Sequence, residues 1–367
     1  MKKDHILVIR FSALGDVAMV VPVVYSLAKQ HPDIRITMLS REGFRPLFEN
    51  LAPNIGFMGA DLKREYKGIR GLNALYRRLT AKQFTAIADL HNVLRSEFLR
   101  LRFNMSRCRV EHIDKHRKGR RKLTSLTNRQ LTQQPTSFQN FVEVFERLGY
   151  SINIQFTSIF VNSPTGKGDL SLLPEPFNAQ FSNLIATPYA QRADAPIIGI
   201  APFAAHEGKI YPTPLMHEVI RQLTLKHPKA RIFLFGRGEK EDQHFTEWCK
   251  EFPTCVFVSQ HLQSMSEELI LMSHLDVMLS MDSANMHLAS LTGISVISIW
   301  GATHPYAGFM GWNQTKDNAI QADLDCRPCS IFGQKPCKRG DYACMNMIKP
   351  ETVVEKINTL LQTKQNN

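Results

Sequence analysis

The chain lacks the features that would place it in several common classes. None of its apolar runs approaches the ~20 residues that a membrane span requires. The first, Ile6–Ile9, stops at Arg10, short of the ~7–15-residue core of a secretory signal, and Pro22 interrupts the apolar run 18–28. These absences lead to the expectation of a cytosolic protein whose seven cysteines stay mostly reduced. No G-x-G-x-x-G follows a strand-like run, which argues against a dinucleotide dehydrogenase. No period of about 20–50 residues recurs, so repeat architectures are excluded. Acids are scarce: Lys+Arg 45 outnumber Asp+Glu 33, giving a net charge of +12. That excess favours an anionic partner, whether nucleic acid, acidic lipid or phosphorylated metabolite.

What is present fits a two-domain α/β protein. At about 150 residues per domain, 367 residues suggest two. With 43% hydrophobic and 21% charged residues, the chain can bury large cores without disulfide or metal staples. Strands are predicted at Ile6–Arg10, Ile34–Leu39, Thr85–Leu90 and Arg109–Ile113. A second set follows at Ile197–Ala201, Arg231–Phe235, Val256–Ser259, Asp276–Ser280 and Ser295–Trp300. Helical patterns near 17–31, 65–82, 138–149, 212–226, 264–274 and 284–292 alternate with them, which calls for parallel sheets under covering helices. A break lies near 163–195, where Ser163–Asn178 is rich in Gly, Pro and Ser and the next apolar strand begins at Pro196. We expect Rossmann-like, doubly wound domains over 1–175 and 190–349 facing a central cleft, with a C-terminal helix and frayed tail over 350–367.

Candidate chemistry lies where strands end and helices begin, because ligands of doubly wound sheets sit beyond the carboxyl ends of the strands. After the first strand, Arg10-Phe-Ser12-Ala-Leu-Gly15-Asp16 opens a helix. Gly15 permits a tight turn, and Asp16 either caps the helix or faces a ligand. In the second half, Asp282, Ser283 and Asn285 cluster at a helix start, an anion-binding arrangement. His287 follows, readable as a site residue or as a hydrogen-bonded helix-face histidine. Thr303 lies in the loop after the next strand. Lys209, in the loop Ala201–Lys209, either neutralises a phosphate or is a solvated surface lysine. Glu239 and Glu241, in the loop after Arg231–Phe235, could take ribose hydroxyls. Together these four loops suggest a nucleotide diphosphate site, and none of them carries an Asp-x-Asp to hold a metal.

A basic stretch adds a second theme. Eleven Lys/Arg, Arg107 among them, stand against three acids between Arg95 and Lys122. Such a run is either a solvated face or a phosphate-contacting one. Without interleaved aromatic residues to stack bases, it suits an anionic membrane surface better than nucleic acid. Finally, Cys326, Cys329, Cys337 and Cys344 could form a tetrahedral zinc site, although their spacing departs from C-x2-C…C-x2-C. Reduced structural thiols are the alternative.

The ordered segments ILVIRFSALGDVAMVVPVV, DLHNVLRS, APFAA…GK, MDSANMHLASLTGISVISIWGAT and CRPCSIFGQKPCKRGDYACMNMIKPE resemble glycosyltransferase family 9, the ADP-heptose:lipopolysaccharide heptosyltransferases. The cysteine tail is similar to that of the heptosyltransferase II branch. The resemblance implies a GT-B fold with the acceptor in the first domain and the nucleotide sugar in the second. It implies metal-independent, inverting transfer of heptose from ADP-heptose to the lipopolysaccharide inner core at the cytosolic face of the inner membrane, without nucleic acid or cofactor. By position, Asp16 would be the general base and Lys209 would hold the diphosphate. Ser12, Gly15, Ala204, Ala205, Glu239, Asp282, Ser283, Asn285, His287, Leu288 and Thr303 would bind the donor. Arg95, Arg117, Arg120 and Arg121 would meet the acceptor. The family's usual Thr-Gly after the donor-loop Asp is here Ser283-Ala284, and its Gly-Ala-Ser style loop is here Phe203-Ala204-Ala205.

Two other functions use the same residues differently. A nucleotide-sugar epimerase of this architecture would need no lipid acceptor and no clustered cations. A basic nucleic-acid-binding protein with a zinc-stabilised tail would leave the converging polar loops without a role.

Overall fold

A computed structural model describes residues 4–106, 108–125 and 127–365. The chain forms two compact units, one of residues 1–116 with 135–162 and the other of 117–134 with 163–367.

In the first unit the elements are β1 (His5–Ile9), α1 (Leu14–Ala18), α2 (Val21–Gln30), β2 (Arg35–Ser40), β3 (Ile55–Gly59), α3 (Gly68–Thr80), β4 (Ala86–Asp89), α4 (Leu94–Met105) and β5 (Arg109–His112). After α5 (Arg117–Leu123), which belongs to the second unit, α6 (Ser137–Arg147) completes it. The five strands are all parallel, in the order β3-β2-β1-β4-β5. Every residue of β1 is buried, as a central strand covered on both faces requires. On one face, Leu72, Leu75 and Leu79 of α3 and Leu99 and Phe103 of α4 pack with Leu7, Ile9, Leu39 and Ile87. Their spacing of three and four residues is the helical period that the core selects.

The second unit contains α7 (Phe177–Ala186), β6 (Ile197–Ala201), α8 (Thr213–Lys226), β7 (Arg231–Leu234), α9 (Glu239–Glu251), β8 (Cys255–Phe257), α10 (Met265–Met272), β9 (Val277–Met281), α11 (Ala284–Leu291), β10 (Val296–Trp300), β11 (Ala319–Gln321), α12 (Ala343–Asn346) and α13 (Pro350–Gln365). Its six parallel strands run β11-β10-β9-β6-β7-β8. Asp276, almost fully buried, takes hydrogen bonds from Arg192 at 2.5 and 3.1 Å and from the Ile197 amide at 2.7 Å. Lys364 of α13 reaches the same carboxylate at 2.9 Å, so the last helix is tied to this unit and does not stand apart from it.

All nine expected strands are present. Two more form at sheet edges: β3, with glycine at two of its five positions, and the three-residue β11. The helix expected over 17–31 is split into α1 and α2, with Pro22 in the first turn of the second, where its missing N–H is harmless. The stretch read as a break holds α7, whose Phe177 and Phe181 pack on Phe233. Residues 117–134 sit with the second unit because their side chains are anchored there. Arg129 donates to the carbonyls of Asp325, Cys326 and Arg327, the Gln134 amide donates to the Tyr306 carbonyl at 2.9 Å, and the Arg120 guanidinium lies 4.4 Å from the Phe309 ring centroid. Among the described residues no helix is long and apolar enough to cross a membrane. Arg107 and the tail residues Asn366 and Asn367 lie outside the described residues.

Candidate active site

Each sheet reverses its direction of growth at one place, and there the loops of two neighbouring strands part. In the first sheet this is between β1 and β4; in the second, between β6 and β9. Ligand sites of open α/β sheets form at the carboxyl end of such switch points. The expected site residues concentrate at both.

At the first switch point, Arg10 leaves β1 and turns inward. Its Nη1 donates to the Leu90 carbonyl at 2.5 Å, and its Nη2 lies 2.7 Å from Asp16 Oδ2. The Arg10 side chain is 9% exposed and that of Asp16 31%. The acid is thus the open member of a pair whose cation is buried. Asp16 also accepts the Ala13 amide at 3.2 Å, which fixes it in the first turn of α1. Ser12 is half-buried beside it, and Gly15 is buried, its carbonyl accepting the Met19 amide. From β4 comes His91, whose Nδ1 accepts the Phe11 amide at 3.4 Å. Burial, with the nearby Arg10 and Lys115 charges, pushes the His91 imidazole down to about 3, so it is neutral at physiological pH. The buried Asp89 holds this turn by accepting the amides of His91 and Asn92 at 2.9 Å each. Arg10 and His91 are functional candidates that residue-by-residue reasoning from the sequence passed over. Their signal is position: each directly follows a strand that borders the switch point.

At the second switch point the polarity is reversed. Lys209 Nζ lies 2.8 Å from Asp282 Oδ2, and their side chains are 15% and 5% exposed. Asp282 follows β9, and Thr303, from the loop after β10, donates to the same carboxylate oxygen at 2.8 Å. Ser283 is the N-cap residue of α11 but makes no side-chain capping bond; its hydroxyl lies 3.3 Å from that of Ser280. The first amides of α11 are therefore not capped by Ser283, which leaves them available to an anion. Asn285 is half-buried in this first turn. His287 and Leu288 are buried in the second, Leu288 as a core residue. Gly208 lets the Lys209 loop approach the Thr303 loop: the Ala302 amide donates to the Gly208 carbonyl at 2.8 Å, and a Cβ on Gly208 would meet Ala302 Cβ at 2.8 Å.

The other expected donor residues surround this centre unevenly. Phe203 lies parallel to Trp248, 6.5 Å between centroids, and carries the half-buried Ala204 and exposed Ala205 beside it. Glu239 is exposed at the first position of α9. Glu241 is occupied structurally: it accepts the Arg237 amide at 3.0 Å, and burial raises its pKa. The four basic residues expected at the acceptor are divided. Arg95 is exposed in the first unit. In the second, Arg117 and Arg121 are exposed, whereas Arg120 is buried under Phe309.

The cysteine segment packs directly on the second switch point. Buried Arg327 donates to the carbonyls of Trp300, Gly301 and Thr303 at 3.1, 2.9 and 2.9 Å. The amides of Cys329 and Ser330 both reach the Ala302 carbonyl at 3.1 Å. The four thiols are free, and burial raises the pKa of Cys344 to about 11. Among the described residues no group of three or more His, Cys, Asp or Glu side chains is arranged to hold a metal ion.

This architecture is that of the GT-B glycosyltransferases. The fold is similar to the glycosyl transferase family 9 protein of Veillonella parvula DSM 2008, with 18% identity, 99% of both chains covered and a TM-score of 0.69. It is also similar to the ADP-heptose lps heptosyltransferase II of E. coli, with 16% identity, 98% and 99% covered and a TM-score of 0.65. The model of glycosyltransferase family 9 (heptosyltransferase) matches residues 72–339, and the chain belongs to this family. Among relatives, it is 24% identical over 213 residues to lipooligosaccharide heptosyltransferase 2 of Campylobacter jejuni, a match spanning 57% of this chain and 63% of that one. It is 24% identical over 368 residues to lipopolysaccharide heptosyltransferase 1 of Campylobacter coli, 97% and 98% of the two chains.

Proposed function

We propose that this protein transfers heptose from ADP-heptose to the inner core of lipopolysaccharide, with inversion at the anomeric carbon. Family membership and the names of its relatives supply the reaction class. The observation that carries the assignment of roles is the reversed exposure of the two ion pairs. A glycosyl transfer needs a base where the acceptor hydroxyl loses its proton, and positive groups where the diphosphate departs.

In this reading the acceptor hydroxyl oxygen attacks the anomeric carbon and the Asp16 carboxylate takes its proton. Arg10, 2.7 Å away, holds that carboxylate in place. The bond from the anomeric carbon to the diphosphate breaks, and its electron pair leaves with ADP. Lys209 and the first amides of α11 take the developing charge, the role a divalent cation plays in other transferases. Asp282 and Thr303 hold Lys209 in place. A single displacement with one base inverts the anomeric configuration. The lipid acceptor places the protein at the cytosolic surface of the inner membrane, bound peripherally.

The test is acceptor-dependent release of ADP from ADP-heptose, with a Kdo–lipid A acceptor and the product anomer read by NMR. Release with the acceptor and inverted product support the assignment. Turnover of ADP-heptose without any acceptor would instead identify an epimerase-like reaction, and retained configuration would remove the single-displacement mechanism.

A further inference from the structure

Helix α4 is apolar on two faces. Leu99 and Phe103 point into the core, yet Leu94, Leu101 and Met105 are 85%, 57% and 80% exposed, with half-buried Phe98 between them. Positions 94, 98, 101 and 105 fall on one stripe at about 100° per residue. A surface helix ordinarily presents polar residues there. Arg95 and Arg102 line one side of the stripe, and Arg102 lies 4.8 Å over the Tyr76 ring.

The neighbouring helix repeats the theme. Tyr76 of α3 packs edge-on against Phe103 at 5.0 Å, so α3 and α4 lie side by side. Both follow parallel strands of one sheet, so both begin at its carboxyl edge. At the start of α3, Ile69 is 74% exposed among exposed Lys63, Arg64, Lys67 and Arg70, which outnumber the two exposed acids of this segment, Asp61 and Glu65. Among the described residues, Lys67, Arg70 and Arg95 join no ion pair, while the one acid of α4, Glu97, is already paired with Arg100.

We propose that this α3–α4 edge is a docking surface for an anionic phospholipid bilayer, with Leu94, Leu101, Met105 and Ile69 entering the headgroup boundary and Lys63, Arg64, Lys67, Arg70 and Arg95 meeting lipid phosphates. Aliphatic residues flanked by cations are what an interfacial helix needs. A second copy of the chain is disfavoured, because a two-fold contact would set these cations against each other. Nucleic acid would call for aromatic faces, and the exposed apolar side chains here are aliphatic. The Asp16 loop leaves the carboxyl edge of the same sheet, where Ile69 and Leu94 stand at the starts of their helices, so docking would hold that loop near a sugar standing on the membrane surface.

This inference deepens the lipid-acceptor reading, and its test separates the two. The whole protein is floated with vesicles of phosphatidylcholine alone and with added phosphatidylglycerol. L94S/L101S/M105S and K67E/R70E variants are compared with wild type, while thermal melting and ADP release with detergent-dispersed acceptor are recorded in parallel. The expected result is strong binding to the anionic vesicles only. Each variant should bind about tenfold less or worse, with melting and dispersed-acceptor turnover unchanged. Wild-type-like binding by both variants overturns the proposal, as does absence of wild-type binding. A wild-type dimer that L94S/L101S/M105S abolishes would assign the stripe to a second copy and likewise overturn it. Vesicle binding that persists when acceptor-dependent ADP release cannot be detected would sink the catalytic reading and leave the docking surface standing.

Discussion

At the first switch point the buried member of the ion pair is the cation, Arg10; at the second it is the anion, Asp282. Both pairs stand at the carboxyl end of a central strand, where the sheet changes direction. Burying one partner fixes the other in place, while the fixed partner keeps a face toward solvent. The same topology thereby offers a carboxylate in one unit and an ammonium group in the other. Fold alone does not divide the chemistry between the units; which partner is buried does.

The largest effect should come from making the first switch point neutral. Asp16→Asn keeps the shape and removes the proton acceptor, so transfer should fall on the order of 10³-fold, about 4 kcal/mol in the barrier. Steady-state ADP release checks this, and turnover near wild type would break the contrast.

The next effect concerns pH. His91 sits at about 3 in the folded protein against 6.5 as its ordinary value. The unfolded chain therefore takes up this proton first as pH falls. Stability is complete above about pH 6.5 and declines as the pH drops toward the folded value, by on the order of 3 kcal/mol at pH 4. His304, beside Thr303 in the second unit, is pushed down to about 4, mainly by burial, so its contribution falls with the same slope and levels off about one pH unit sooner. Chemical denaturation of His91→Asn and His304→Asn between about pH 7 and 3 should show similar losses of acid sensitivity down to about pH 5, with the larger loss in the first variant below about pH 4.

Two hydroxyls sharpen the comparison further. Thr303 donates to a buried carboxylate, whereas Ser40 donates to the neutral Arg10 carbonyl at 2.5 Å. Thr303→Val should cost about 2 kcal/mol and Ser40→Ala about 1, since bonds to charged acceptors are worth more. Denaturant melts that reversed this order would contradict the role given to Asp282.

The architecture was legible because buried parallel strands read as continuous apolar runs: ILVI, IIGIA and VISIW are central strands in the structure. The edge strands β3 and β11 were not, because β3 carries two glycines and β11 is short. Helix α9 hid inside a polar sequence, EKEDQHFTEWCKE, that buries only Phe245 and Trp248. The convergence of Lys209, Asp282, Ser283 and Thr303 followed from reading strand ends as one edge. The buried Arg10 and the neutral His91 did not, since a charge-bearing residue gives no sequence sign of being enclosed. Likewise, the basic run Arg95–Lys122 reads as one patch, while the chain divides it between two units and buries Arg120.

The most direct measurement is calorimetric titration of ADP into wild type, Lys209→Met and Asp16→Asn. The account predicts that Lys209→Met loses affinity about 30-fold or more, roughly 2 kcal/mol, while Asp16→Asn binds within about twofold of wild type. Unchanged affinity in Lys209→Met, or collapse of binding in Asp16→Asn, would contradict the division of charge between the two units.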